Sequence, residues 1–388
     1  MSKREKYAVL EAIRKRYRKA NRQEKKVILD EFCATCQFHR KHAIRLLHFG
    51  SRPKGSKAGR KPLYGSPEFM SALKRIWLKS DQMCSKRLKA TIPLWIPYYA
   101  ESFEPLTEET YSLLLRVSAA TIDRLIKPVR LRHPKGLGGT KPGRMLKNQI
   151  PIRTNHWDIT KPGFVEADTL AHCGNSLDGD FAWSLTLTDI LLGWTESRAI
   201  WNKGAGDVLN QIKQIETQIP FKLRGFDCDN GSEFLNHHLF RYFASKKEYV
   251  QFTRSRPYHQ NDNPHVEQKN WAHVRQLFGY DRIERREAVP LMNDLYATEW
   301  SLYQNHFCPT LKLKTKKRIN SKYQKHYESP KTPYQRVMES EQIQQMAKDK
   351  IKTIHDQLNP FILKTAIEAK LKTIFQYISV TPNVRQRI

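Results

Sequence analysis

Between residues 5 and 20 the apolar positions Tyr7, Leu10, Ile13 and Tyr17 recur at helical spacing, with Arg and Lys filling the gaps, the pattern of an amphipathic helix. A second apolar set follows at Val27, Ile28 and Phe32, and a third at Ala43, Ile44, Leu46 and Leu47. Three short helices, the last one basic, predict a helix-turn-helix unit over 1–50. His39, Arg40, Lys41 and Arg45 crowd its candidate recognition helix. A plain three-helix bundle with a solvated basic face is the alternative.

Residues 51–62 form a Gly-, Ser- and Pro-rich basic linker, a segment suited to lie along phosphates. Residues 63–132 turn helical again, with Phe69, Leu73, Ile76 and Trp77 on one face and Thr107 as the cap of a helix starting at Glu108. Val117 to Ile126 reads as a turn and a second candidate recognition helix, with Arg124 as a candidate DNA contact. A second basic linker spans 133–156.

From 157 to 287 the texture changes. Gly163–Leu170, Phe181–Thr188 and Thr195–Trp201 read as strands, with Gly193 in the turn between the last two. Val208, Ile212, Ile215 and Ile219 mark a helix, Phe221–Cys228 a fourth strand, Leu235–Ala244 a helix and Tyr249–Thr253 a fifth strand. Asn263-Pro264 then opens a helix that carries Val266, Val274, Leu277 and Phe278 inward. Three strands, helix, strand, helix, strand, helix is a mixed α/β sheet. The fold class is therefore multidomain α/β.

Charge sharpens this division. The chain has 388 residues and a net charge of +30. Residues 1–60 carry a net +13, residues 61–157 a net +10, residues 158–287 a net −2 and residues 288–388 a net +9. A near-neutral centre between basic flanks fits a polyanion held by the flanks and worked on by the centre. The longest apolar runs are too short to span a bilayer. Six cysteines and a charged start without an apolar stretch behind it fit reduced thiols in a cytoplasmic protein.

Three carboxylates fall at informative places in the centre: Asp168 within the first strand, Asp229 just past the fourth, and Glu267 in the first turn of the last helix. Carboxylates are ligands for hard cations, and two such ions would activate an attacking oxygen and neutralise a leaving one in phosphodiester chemistry. Glu166 shares a strand face with Asp168, and Asp227 with Asp229, so the pattern leaves each choice open. Asp229 also suits the first position of a turn, and Glu233 a helix start.

The stretches Gly163-Phe-Val-Glu-Ala-Asp-Thr, Asp227-Cys-Asp-Asn-Gly-Ser-Glu-Phe and His265-Val-Glu-Gln-Lys-Asn resemble the integrase core of insertion-sequence transposases and retroviral integrases. So do Leu185–Glu196 and Phe252–Tyr258, and outside the core Phe38–Leu47 and Pro330–Arg336 resemble bacterial members. The resemblance implies an RNase H-like core with Asp168, Asp229 and Glu267 as catalytic metal ligands for two Mg²⁺ or Mn²⁺ ions. It also implies a transposase that cleaves double-stranded DNA at element ends and transfers the strand to target DNA. Asn270 matches a polar residue on the same helix face. Arg254, Arg256, Lys269 and Asn270 are candidate DNA contacts. Between Asp229 and Glu267 lie 37 residues, slightly more than the family pattern, with Asp262 as the weaker alternative. The rival readings are an RNase H-like nuclease that does not join, and a domesticated DNA-binding regulator.

Cys33, Cys36, His39 and His42 are zinc-type ligands at cramped three-residue steps, and buried thiols beside DNA-facing histidines are the preferred reading. Residues 288–388 form a basic tail for DNA binding and assembly. Within it, Leu311–Tyr327 interleaves Lys and Arg with Tyr323 and Tyr327, as expected of a strand pair or arm on DNA, or of a solvated basic loop. Ile343–Ile378 reads as a helical stretch with an apolar stripe at Ile354, Leu358, Leu363, Ile367, Leu371 and Phe375. That stripe serves either a protein dimer formed on paired DNA ends or the monomer's own core.

Overall fold

The computed structural model describes residues 1–49, 63–133, 159–229, 231, 233–254, 264–319 and 322–377. The linkers 51–62 and 134–156, together with Arg256 and Asp262, lie outside the described residues. The chain divides into two compact units, Met1–Leu63 and Tyr64–Ile388.

The first unit holds α1 (Lys3–Lys19), α2 (Arg22–Cys36) and α3 (Arg40–Phe49). Capping boxes Ser2/Glu5 and Asn21/Glu24 start the first two helices by satisfying backbone N–H groups that have no helical partner. Leu10, Tyr17, Ile28, Leu29, Phe32, Cys36, Ala43, Leu46 and Leu47 form the core. Val27 and Ile44, read as apolar-face positions, are exposed. Arg14 and Arg18 donate to the closing carbonyls Leu47 O and His48 O of α3, where cations complement the helix dipole.

The second unit opens with α4 (Pro67–Lys79), α5 (Ser85–Trp95), α6 (Tyr99–Ser102), α7 (Glu108–Arg116) and α8 (Ala119–Arg132). Thr107 caps α7 as expected, its side chain accepting from Thr110 N. A five-stranded sheet follows: β1 (Phe164–Ala171), β2 (Ala182–Asp189), β3 (Thr195–Trp201), β4 (Gly225–Cys228) and β5 (Gln251–Arg254), in the order β3-β2-β1-β4-β5. β1, β2 and β3 pair antiparallel, while β4 and β5 join in parallel. The crossovers carry α9 (Ala205–Gln218) and α10 (His237–Ala244). The fold is thus a mixed α/β sheet with the element sequence expected. The fourth strand is shorter than the apolar run predicts, because Phe221 and Leu223 pack in the core before the chain reaches the sheet.

Alternation on β1 decides the geometry of the centre. Val165 and Ala167 enter the apolar core with Leu185, Ile212, Ile215 and Phe226. Glu166 and Asp168 therefore face the opposite side. On that side runs α11 (Pro264–Lys269), which continues as a π-helical turn over Asn270–Arg275 and closes at Gln276–Phe278. Val266, Val274, Leu277 and Phe278 are buried, as the helical spacing predicts.

The remaining chain forms α12 (Ala288–Leu295), α13 (Ser301–Phe307), a hairpin of β6 (Leu313–Ile319) and β7 (Lys322–Tyr327), then α14 (Pro333–Glu339), α15 (Gln345–His355) and α16 (Pro360–Phe375). The long tail helix is broken at Asn359-Pro360, where Asn359 caps α16. Leu363 and Ile367 are buried in one core with Phe69, Trp77, Trp95 and Tyr303, and Leu358 and Leu371 pack against it. Trp95 stacks edge-on against Tyr303 at 5.9 Å and Phe361 at 5.0 Å, and Lys364 pairs with Asp81 at 2.6 Å. The helices of 64–132 and the tail therefore share a core, and most of the apolar stripe is covered by the chain itself. Among the described residues no helix is long and apolar enough to cross a membrane.

Candidate active site

Parallel pairing places Glu166 beside Asp227 and Ala167 beside Cys228. Asp168 and Asp229 each follow that last pair by one residue, and the charge of Asp229 acts on Asp168. Burial, then the charge of Asp229, push the Asp168 carboxyl up to about 7, and Glu267 adds to the effect. Asp229 is also held above the usual carboxylate range, by burial first and by Glu233, while the Gly231 N–H and Lys203 pull the other way. Two buried carboxylates, each raised by a neighbouring acid, are short of positive charge.

The neighbours fix these groups in place. Thr169 N donates to Asp168 Oδ1 at 2.8 Å, and Asn270 Nδ2 donates to Asp168 Oδ2 at 2.6 Å. Gly231 N donates to Asp229 Oδ1 at 3.0 Å, the local turn that the Asp-Asn-Gly sequence favours. Asn270 is buried, and its Oδ1 has no hydrogen-bond partner. A buried amide oxygen without a partner is costly unless a ligand meets it.

The neighbouring carboxylates differ in their partners. Glu166 accepts from Val266 N at 2.9 Å, so it caps the N-terminus of α11, where an anion complements the helix dipole. Asp227 accepts the Thr253 hydroxyl at 2.7 Å. Glu267 is exposed on the first turn of α11 and reaches Asp168 electrostatically. Among the described residues no group of three or more His, Cys, Asp and Glu stands ready to hold a metal ion. The pair Asp168 and Asp229, the Asn270 oxygen and the oxygen-only donor chemistry nonetheless suit a hard divalent cation, with Glu267 at the edge.

One group has no sequence signal. Lys203 follows β3 in a turn where Asn202 and Lys203 both take left-handed backbone, φ 50° and 59°. Asn tolerates that conformation, whereas a Lys there marks strain held by its surroundings. The Lys203 ammonium lies 2.5 Å from Glu233 Oε1 and 4.7 Å from the centre of the Trp183 ring. Glu233 is buried and also accepts the Thr169 hydroxyl at 2.9 Å. Read from sequence as a helix-start charge, Glu233 instead links Lys203 to the strand that carries Asp168. A Cβ at Gly231 would collide with its carboxylate.

The expected DNA contacts separate by environment. His39, Lys41, Arg45, Arg124 and Arg254 are exposed. Arg40 is exposed but salt-bridged to Asp30 on α2. Lys269 turns inward, its Nζ 3.4 Å from Gly193 O and 3.5 Å from His273 Nε2. Burial first, then Arg87 and Arg336, push that ammonium down to about 7; α11 presents Lys269 toward the protein rather than outward. Cys36 is buried, with its thiol raised by burial, and His42 packs edge-on to Phe38 at 5.2 Å.

No family model matches the chain. It is 39% identical over 339 residues to the "Uncharacterized protein y4rM" of Sinorhizobium fredii (strain NBRC 101917 / NGR234), covering 84% of this chain and 93% of the relative. Among solved structures it is similar to the catalytic core domain of BIV integrase, at 17% identity and a TM-score of 0.30, over 46% of this chain and 95% of that chain. A likeness that loose carries no argument by itself.

Proposed function

We propose that this chain, which belongs to the same family as the Sinorhizobium fredii protein y4rM, is a metal-dependent DNA strand-transferase. In this reading it is a transposase with an RNase H-like core that cuts DNA at element ends and joins the freed 3′-hydroxyl to target DNA. The observation that carries the reading is the Asp168–Asp229 pair. Asp168 on β1 is pushed up by burial and by the charge of Asp229, which follows the parallel neighbour β4, beside a buried Asn270 oxygen without a partner.

Asp168, Asp229 and Glu267 would hold Mg²⁺ or Mn²⁺. Such ions supply an activated water or hydroxyl oxygen and charge neutralisation at the leaving oxygen. The protein's own part is orientation. Asn270 and Thr169 N fix the Asp168 carboxylate from two sides. Glu166 seats the N-terminus of α11 and so sets the position of Glu267 one residue beyond Val266. The basic flanks hold the duplex while the near-neutral centre admits the metal, and two protomers pair across the two ends.

The test is an assay of the full chain with Mg²⁺ or Mn²⁺ on a labelled duplex bearing the DNA end that flanks its gene, with plasmid as target. Cleaved and joined products are expected. Asp168→Asn and Asp229→Asn remove both while duplex binding persists. Cleavage without joining favours the nuclease reading, and binding with neither favours the regulator. Full activity in both variants sinks the assignment. Light scattering with end DNA measures the assembly, and a single protomer in a joining-competent complex overturns the dimer.

A further inference from the structure

Leu311–Tyr327 carries seven Lys and Arg and no Asp or Glu. Its strands β6 and β7 pair antiparallel, with a bulge between Leu313 and Thr315. An isolated two-stranded ribbon is marginal in water, and this one covers no apolar face. Leu313, Ile319 and Tyr327 are 47%, 52% and 49% exposed. Its base, by contrast, is anchored. Thr310 bridges Lys331, the Arg336 guanidinium donates to Thr310 Oγ1 at 2.7 Å and to its carbonyl at 2.9 Å, and Lys312 Nζ donates to Leu191 O at 2.6 Å. The result is an exposed cationic ribbon on a fixed root.

We propose that the β6–β7 ribbon docks in the major groove of duplex DNA. Cations crowded on one hairpin without a single acid repel one another, and a polyanion relieves that repulsion. The major groove, about 12 Å wide, admits a two-stranded ribbon. At about 3.3 Å per residue, the seven residues of β6 reach about 23 Å, roughly two thirds of a duplex turn of about 34 Å. Thr315 and Lys317 share one face with His326 and Gln324 by register and alternation. The hydroxyl, imidazole and amide suit base edges, and the lysines suit phosphates. The identity of the partner rests on the DNA-transferase reading; the docking itself does not require catalysis.

The experiment compares wild type, a ribbon variant (Lys314→Glu, Lys317→Glu, Lys325→Glu) and an equal charge change elsewhere (Lys247→Glu, Lys350→Glu, Lys372→Glu). Fluorescence anisotropy follows binding to a 20-base-pair duplex and to one of its single strands across a salt series. A milder Lys→Gln triple at the ribbon positions stands in if the Glu variant melts early. The ribbon variant is expected to lose about tenfold or more on the duplex relative to the control variant. Its log–log salt slope should fall by about 2 to 3, with a smaller loss on single strands. Losses equal to those of the control variant, or equal on duplex and single strand, overturn the groove docking. A wild type that binds through the ribbon yet neither cuts nor joins with Mg²⁺ sinks the transferase reading alone. Unchanged duplex affinity in a ribbon variant that still cuts and joins sinks the ribbon alone.

Discussion

Lys203 and Glu233, thirty residues apart in the chain, meet at 2.5 Å beside the Asp168–Asp229 pair. Glu233 is 1% exposed at its side chain and Lys203 is 29% exposed. Removing Lys203 leaves the buried Glu233 charge facing carboxylates that already lack compensation. Lys203→Ala should therefore destabilise the protein by about 2–4 kcal/mol, while the double variant Lys203→Ala/Glu233→Gln recovers a large part. Urea unfolding of the four members of the cycle measures this, and strictly additive losses would contradict the pairing.

Stability should depend on pH through Asp168. Folded, its carboxyl titrates at about 7; unfolded, at about 4. The folded state therefore holds an extra proton between these values, and stability falls as pH rises through that window. In chelator at pH 8, Asp168→Asn should be more stable than wild type by an amount on the order of 2–4 kcal/mol. The difference should shrink toward zero as pH falls to about 4. Thermal unfolding at both pH values decides it, and the same offset at both would refute the assignment.

Asn270 donates to Asp168 at 2.6 Å. Partners of metal-binding carboxylates typically contribute about 10–100-fold in metal affinity. Asn270→Ala is expected to weaken Mn²⁺ binding by about that factor in calorimetry. Unaltered Mn²⁺ affinity would remove Asn270 from the site.

Glu166 should act through α11 rather than through the metal. Glu166→Ala removes the acceptor of Val266 N and should cost about 1–2 kcal/mol. Amide exchange should accelerate in the first turn of α11 ahead of the sheet. Glu166→Gln, which keeps an acceptor oxygen, should restore most of that protection. Uniform acceleration across the sheet in both variants would argue for a different role.

Arg40 is held by Asp30 on the face of α2. If α3 contacts DNA through Arg40, Asp30→Ala should tighten duplex binding and Arg40→Ala should weaken it. Anisotropy with short duplexes measures both, and unchanged affinity in both variants would assign Arg40 to bundle stability alone.

The sequence by itself determined which segments form strands and helices, and on β1 which residues turn inward. Period-two alternation separates Val165 and Ala167 from Glu166 and Asp168, and helical spacing buries Val266, Val274, Leu277 and Phe278. The end of the fourth strand before Asp229 was also legible, because Asp-Asn-Gly favours a turn. Tertiary structure decided the rest. Glu166 and Asp168 share a face, and only the placement of α11 makes one a helix cap and gives the other Asn270 as partner. Lys203 joins Glu233 because a left-handed turn swings it back over Trp183, and no periodicity records such a contact. Lys269 carries a charge that reads as exposed, yet the rotation of α11 aims it at the Gly193 carbonyl. The tail stripe around Leu363 and Ile367 could have met a second copy or its own chain. Patterning says only that a face must be buried; which other face covers it depends on shape and packing between distant segments, and here the helices of 64–132 provide it.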